Sequence, residues 1–248
     1  MLISLTHLLT KYDLNPQGIL HLGAHIGQET KVYQENNIHN VIWIEGNEKV
    51  YKKLISNLNK VKGNKFYNIL ISDIDNVELE YHLTNNEESS SILELKDHKI
   101  FHPKVIHTET ILQKARRLDI YFKENQIDIS SFDFLNIDLQ GAELIALESL
   151  GEYLSNFKYI YLEVNTGSLY KDCPKLSFID KYLGEKGFIR KVMKLTKHGW
   201  GDAFYIKEDF DHSTLLYNVA EAKKQERYFK YKKLLAQVKA PIKRLFSN

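Results

Sequence analysis

Short runs of apolar, β-branched and aromatic residues recur along the chain, separated by stretches in which apolar positions repeat every three or four residues. The runs are ILHL (19–22), VIWIE (41–45), FYNILIS (66–72), FDFLNID (132–138), YIYLEV (159–164), FIRKVMKL (188–195) and AFYIK (203–207). Runs this short and this continuous suit strands buried on both faces of a parallel sheet. Between them, NEKVYKKLISNLNKV sets Val50, Leu54, Leu58 and Val61 on one helical face, with Asn47 where an N-cap belongs. GAELIALESLGEYL (141–154) reads as one further helix, with Ile145, Leu147, Leu150 and Leu154 as its apolar stripe. Strands alternating with helices predict a Rossmann-like, doubly wound α/β sheet of seven strands. The last two runs are separated only by Thr196 to Asp202, too short for a crossover helix, so they should pair antiparallel. The expected sheet is therefore mostly parallel with one antiparallel strand.

Two segments depart from the alternation. The stretch 76–131 is too long for a plain loop and should hold a hairpin and a helix placed over the strand ends, where ligands bind. The stretch 213–248 reads as a basic amphipathic helix, with Leu216, Val219, Phe229, Leu234, Val238 and Leu245 as its apolar positions and a stop or kink at Pro241. The division is thus a domain over 1–212, carrying the 76–131 insertion, and a helical tail over 213–248.

Charge sharpens that division. The tail holds nine Lys/Arg against two Glu, a net of +7, whereas the rest of the chain is net −5. An acidic body speaks against nucleic acid as a partner, since phosphates need a positive face. The tail suits peripheral contact with an anionic membrane face or a partner protein. The single cysteine, Cys173, fits a reducing compartment. No run approaches the ~18 apolar residues of a membrane span, and MLISLTHLLTKYDLN has no basic region or small-residue cleavage site. The expectation is a cytoplasmic protein, peripheral at the inner membrane face if the tail binds there.

The strongest chemical motif is HLGAHIGQET (21–30), after the first strand. Gly23 and Gly27 permit a sharp turn and close backbone approach to a ligand. Their spacing is GxxxG, not the GxGxxG that brings a helix N-terminus against a pyrophosphate, and Glu29 would repel one. Glu29 instead suits an ammonium group. S-adenosylmethionine carries ammonium and sulfonium charges and no phosphate, so the local charge favours it over a dinucleotide. Glu45 ends the second strand, placed for the ribose hydroxyls of an adenosine, with Gly46 and Asn47 beside it. Ser72 and Asp73, ending the third run, are placed to meet the adenine.

HLGAHIGQE, WIEGNEKVYKKL, SSSIL, RLD, FDFLNIDLQGAELIALESLG, YLEVNTGSLYKDCP and a late GF together resemble the FkbM family of methyltransferases, from about Ile19 to Lys207. IDLQGAE (137–143) is the most specific piece. The resemblance implies a class I methyltransferase fold and O-methylation, often of sugars in surface glycans or natural products. His25 stands where many relatives carry Asn, so its place in the cofactor site carries a different side chain.

Methyl transfer requires alignment, exclusion of water and removal of a proton. Asp138, at the switch point of the sheet, is a candidate to hold the methionine ammonium, act as base or bind a metal, with Gln140 shaping the turn beside it. Glu163 ends the fifth strand as the second candidate catalytic carboxylate. Glu143 either joins them or serves its own helix dipole. Ser90 and Ser91, with Ser89, and Trp200 are candidates to bind substrate. His98 and His102 lack a recognisable third ligand, so no metal ligand is assigned to them; Asp138 with Glu163 leaves magnesium open. Three alternatives to sugar O-methylation stand: an N-methyltransferase, a non-catalytic cofactor-binding scaffold and an NAD-linked oxidoreductase.

Overall fold

The ligand edge is assembled by strand register. The computed structural model describes residues 1–208 and 212–245, the last helix with side chains over 213–234. The chain opens on α1 (Leu5–Lys11) and then alternates through β1 (Ile19–Leu22), α2 (Thr30–Glu35), β2 (Val41–Glu45), α3 (Glu48–Leu58) and β3 (Asn64–Asn68). β1 and β2 are buried throughout and pair in parallel, Leu22 opposite Ile44. Asn47 caps α3 as expected: its Oδ1 accepts the N–H groups of Lys49 at 3.0 Å and Val50 at 3.3 Å.

The run expected as one strand over 66–72 is two. β3 stays with β2, and the Ile69 N–H donates to the Glu45 carbonyl at 3.1 Å. The chain then leaves the main sheet, and β4 (Leu70–Ile71) pairs in parallel with a strand of the insertion, Leu70 opposite Ala115. An unbroken apolar run cannot report this, because both halves are buried whichever sheet they join. The insertion carries the expected hairpin and helix: β5 (Val77–Thr84), α4 (His98–Phe101) and β6 (His107–Arg116), with β5 and β6 antiparallel. These strands form a second sheet in the order β4-β6-β5.

α5 (Leu118–Glu124) returns the chain to the main sheet, burying Phe122 in its core. There follow β7 (Phe134–Ile137), α6 (Glu143–Ser149), β8 (Tyr159–Asn165), α7 (Leu176–Glu185), β9 (Phe188–Leu195), β10 (Trp200–Lys207) and α8 (His212–Leu245). The main sheet has seven strands in the order β3-β2-β1-β7-β8-β10-β9, and only β10 runs antiparallel to its neighbours. The order reverses between β1 and β7, which is the switch point where ligands bind in such sheets. The helix expected over 141–154 is shorter. α6 ends at Ser149, and Gly151 takes a φ of +52° to open a 3₁₀ turn over Gly151–Asn156. A Cβ there would overlap the Asp119 carboxylate, so the glycine permits a close crossing of α5.

α8 is built onto the sheet by its first half. Phe229 is buried in a slot floored by Gly167 and Gly199, where any Cβ would overlap its ring. That burial contributes roughly 1.5–3 kcal/mol. Arg190 of β9 links Asp180 of α7, at 2.9 Å, to Glu221 of α8, at 2.9 Å. Lys233 reaches the buried Asp97 beside α4, 2.6 Å from its carboxylate. The helix runs on past Pro241 to Leu245, so that proline does not end it. Val238 and Leu245 lie outside the described side chains. Among the described residues, no helix is long and apolar enough to cross a membrane.

Candidate active site

Gly23, at the end of β1, has a φ of +81°. A Cβ there would stand 1.8 Å from the Asp138 carbonyl, so the loops after β1 and β7 can meet only through glycine. Gly27, φ +82°, does a different job: a Cβ would overlap Leu58 of α3, and the residue does not line the cavity. Between them His25 holds a φ of +46°. Among non-glycine residues, left-handed backbone favours Asn, Asp and His, which gives the His-for-Asn exchange a backbone reason.

Glu45 ties this loop to the next. Its Oε2 accepts the His25 N–H and its Oε1 the Asn47 N–H, each at 2.8 Å. The carboxyl is buried, and burial raises its pKa despite those hydrogen bonds. Glu45, Gly46, Glu29 and His25 all line one cavity of about 390 Å³ at the switch point. Its opposite wall includes Ile69, Leu70 and Ile71. Asn47 is committed to capping α3 and does not line it. Ser72 and Asp73 do not line it either. The Ser72 hydroxyl accepts the Ile74 N–H at 3.1 Å, and the Asp73 carbonyl accepts from Arg117 at 2.9 Å.

The 3₁₀ turn Glu87–Ser89 of the insertion meets the glycine loop from above. Gln28 Nε2 lies 2.8 Å from His25 Nδ1 and donates to Glu88 at 3.0 Å, while Lys53 of α3 holds Glu87 at 2.8 Å. Ser90 and Ser91 line the cavity. Each also braces its own loop, the Ser90 hydroxyl accepting the Thr84 N–H at 3.2 Å and the Ser91 hydroxyl the Leu93 N–H at 3.1 Å.

The far wall is a cluster of carboxylates. The Gln140 amide, on left-handed backbone with φ +54°, donates to Asp138 at 2.7 Å and to Glu163 at 2.9 Å. The Tyr170 hydroxyl donates to the Gln140 carbonyl oxygen at 2.8 Å. Asp202 of β10 accepts from the Tyr161 hydroxyl and the Leu2 N–H. Burial pushes the Asp138 carboxyl up to about 6; the Gln140 hydrogen bond opposes this and the Asp202 charge adds to it. Burial, then the Asp138 charge, holds Glu163 well above the usual carboxylate range. Glu143 is off the cavity. Its Oε1 accepts the N–H groups of Leu139 at 3.1 Å and Gly141 at 3.0 Å, and burial pushes it up to about 7.

Such a lining fits S-adenosylmethionine. Carboxylates that are costly when buried alone are relieved by a ligand with two positive charges. It does not fit magnesium in the same way. The oxygens of Asp138 and Glu163 converge on an amide donor, and among the described residues no group of three or more His, Cys, Asp or Glu forms a cation cage.

Several residues at this site carried no signal in the sequence. Tyr170, Glu87, Glu88 and Asp202 are brought to it by the fold. His198 also joins the pair His98 and His102, its ring 5.1 Å from that of His102. Trp200, half-buried, lines the cavity with His98 and His102.

The family model described as the methyltransferase FkbM domain matches residues 21–190. Among solved structures, M. capricolum TrmK in complex with S-adenosyl-homocysteine is 13% identical, with 86% of this chain and 72% of that one covered and a TM-score of 0.49. A Streptococcus pneumoniae protein, Sp1610, described as a candidate tRNA (m1A22) methyltransferase, is 13% identical, with 88% and 77% covered and a TM-score of 0.48. A SAM-dependent methyltransferase from Aquifex aeolicus is 12% identical, with 84% and 91% covered and a TM-score of 0.47. No curated protein matches the chain. With the matched domain spanning well over half of its length, glycine loop and IDLQGAE included, the chain belongs to the FkbM family of S-adenosylmethionine-dependent methyltransferases.

Proposed function

We propose that this protein transfers a methyl group from S-adenosylmethionine to a hydroxyl of a sugar or glycan. The observation that carries the reading is the lining of the cavity: carboxylates from six segments of chain, serines, imidazoles and a tryptophan, with no Lys or Arg among the described residues. A phosphate-rich acceptor such as nucleic acid would meet repulsion there; a neutral polyol would not. Bound S-adenosylmethionine supplies an electrophilic methyl group. In this reading Gly23, His25, Glu29, Glu45, Gly46 and Gln140 hold the donor, and Asp138 shares its positive end. Glu45 offers its remaining lone pairs to the ribose. Gly27 and Asn47 support that site through packing and capping, and Ser72 and Asp73 through the turn that positions Ile69 to Ile71.

Asp138 and Glu163, clamped by Gln140, face the space beside the donor and are the catalytic carboxylates. An acceptor hydroxyl held there is aligned for in-line attack, and its proton passes to the carboxylate that the donor's charge has kept ionised. Ser90, Ser91 and Trp200 contact the acceptor. The same acidic lining is also what favours a second reading, an amine acceptor and N-methylation. The exposed face of α8, with Tyr228, Tyr231 and Leu234 among lysines, suits peripheral contact at an anionic inner membrane face, in the cytoplasm.

The test is calorimetry with S-adenosylhomocysteine and NAD side by side, then radiolabelled methyl transfer to glycan and amine panels. Binding of the first ligand and label on glycans is the expected result. Label on amines alone would replace sugar with amine, and NAD binding alone would overturn the donor.

A further inference from the structure

The acceptor end of the cavity contains a group of imidazoles that the reading above leaves without work. α4 is stitched to the chain after β8: the Lys96 and His98 N–H groups donate to the Leu169 carbonyl at 2.8 and 3.1 Å, and the Asp97 N–H to the Ser168 carbonyl at 3.0 Å. This brings the His98 ring to 4.7 Å from His102 and 5.7 Å from Tyr170. Tyr170 is the residue whose hydroxyl holds Gln140, and through it Asp138 and Glu163. One connected line of contacts therefore runs from His98 to the carboxylates.

His98 lines the cavity yet is only 7% exposed, and its Nδ1 is buried with no hydrogen-bond partner. A buried polar atom without a partner is rare in folded proteins and points to a ligand or water that supplies one. Burial, with His102 adding to it, lowers the His98 pKa to about 4, so near neutral pH the ring is an uncharged donor and acceptor. Leu169 and Trp200 line the cavity beside it and give apolar and aromatic carbon. Glu87, Glu88, Asp138, Glu163 and Asp202 line the same cavity; Lys53 pairs with Glu87 from outside it, and among the described residues no Lys or Arg lines it.

We propose that His98, His102, Leu169, Tyr170 and Trp200 form the acceptor subsite, and that it takes an uncharged, hydroxyl-bearing ring. The proposal rests on the methyltransferase reading for the word acceptor; the binding it describes does not. The neutral His98 imidazole hydrogen-bonds hydroxyls without demanding charge, and aromatic carbon covers the C–H face of a saturated ring. An anionic ring would meet repulsion from the ionised carboxylates of this lining.

The test uses full-length protein saturated with S-adenosylhomocysteine, with the histidine Cε1–H signals followed by NMR. A series of methyl pyranosides should shift the His98 and His102 signals and leave the exposed His7 and His39 unmoved. Glucose 1-phosphate should bind at least tenfold more weakly. His98→Ala should weaken pyranoside binding at least fivefold with S-adenosylhomocysteine affinity within twofold of wild type, which also reports that the variant is folded. His98→Asn, which keeps a polar partner, should recover part of the loss. Pyranosides that leave His98 and His102 unmoved, or a phosphate that binds as well as the neutral ring, would overturn the subsite. Wild type that fails to bind S-adenosylhomocysteine would sink the methyltransferase reading instead, and the same titration on the free protein would still decide the subsite.

Discussion

The two ends of the cavity are built in opposite ways. The proposed donor end comes mainly from β1, β2 and the loops that follow them, and it works through backbone: Gly23 at positive φ, the His25 and Asn47 N–H groups on Glu45, and an N-cap on α3. The proposed acceptor end is assembled from α4, the chain after β8 and the β9–β10 hairpin, and it works through rings packed edge-on or tilted against one another. Backbone geometry is set by local sequence and tolerates few substitutions. A side-chain cluster drawn from distant segments can be changed piecemeal, which is how one scaffold can serve many acceptors while keeping its donor.

Breaking this contrast should be most visible in turnover. With an acceptor from the labelled panel, Asp138→Asn is expected to lower kcat by about 10²–10⁴-fold, the usual range for a positioned proton-transfer group. S-adenosylhomocysteine affinity should change far less. Near-normal kcat would mean that Asp138 neither holds nor moves a proton. Gly23→Ala should follow. It forces a Cβ onto the Asp138 carbonyl at a left-handed position, and calorimetry should show a loss of at least about 2 kcal/mol in stability or the absence of donor binding. An alanine variant with wild-type Tm and affinity would refute the account of the loop.

Glu45→Ala should weaken S-adenosylhomocysteine by about 1–3 kcal/mol, the range for hydrogen bonds to a charged group. Unchanged affinity would remove Glu45 from the ribose. A pH series sharpens the same picture. Asp138 is raised to about 6, Glu143 to about 7 and Glu163 above the usual range. A raised carboxyl contributes stability that is present below its unfolded value, near 4, and lost as pH rises through its folded value. Stability of the free protein should therefore decline between about pH 4 and 7. The rise in Tm on adding S-adenosylmethionine should grow over the same interval. It should also exceed the rise with S-adenosylhomocysteine, which lacks the sulfonium charge. Equal shifts at pH 5 and 8 would mean that the carboxylates do not face the donor.

The smallest effect separates the two ends most cleanly. Lys233→Met removes the partner of the buried Asp97, one residue before His98. Hydrogen exchange over 95–102 should speed up while that over β1 and β2 stays fixed, and donor affinity should hold within twofold. Truncation after Asp211 should likewise spare donor binding, though it also removes Phe229 from its slot. Loss of donor binding by a folded truncated protein would show that α8 helps build the donor end.

Most of the sheet was legible because burial on both faces leaves an unbroken apolar signature, and the short 196–202 link could only join antiparallel strands. The glycine loop was legible for a related reason: glycine spacing and a following carboxylate are local facts that pick one cofactor chemistry over another. What failed were boundaries. The run 66–72 looks continuous because hydrophobicity does not say which of two sheets receives a residue. The run 141–154 looks like one helix because its stripe persists past Gly151, whose conformation is set by Asp119.

By itself, then, the sequence determined the alternation of strands and helices, the glycine loop after the first strand and the carboxylates at strand ends, all of which depend on neighbours a few residues apart. Only the tertiary structure decided that Gln140 would clamp Asp138 to Glu163 and that Tyr170 would hold Gln140. It also decided that His198 would complete a histidine cluster begun a hundred residues earlier, and that a basic helix would send Lys233 to Asp97. Those contacts join segments far apart in the chain, and their partners are chosen by packing, which no local pattern encodes.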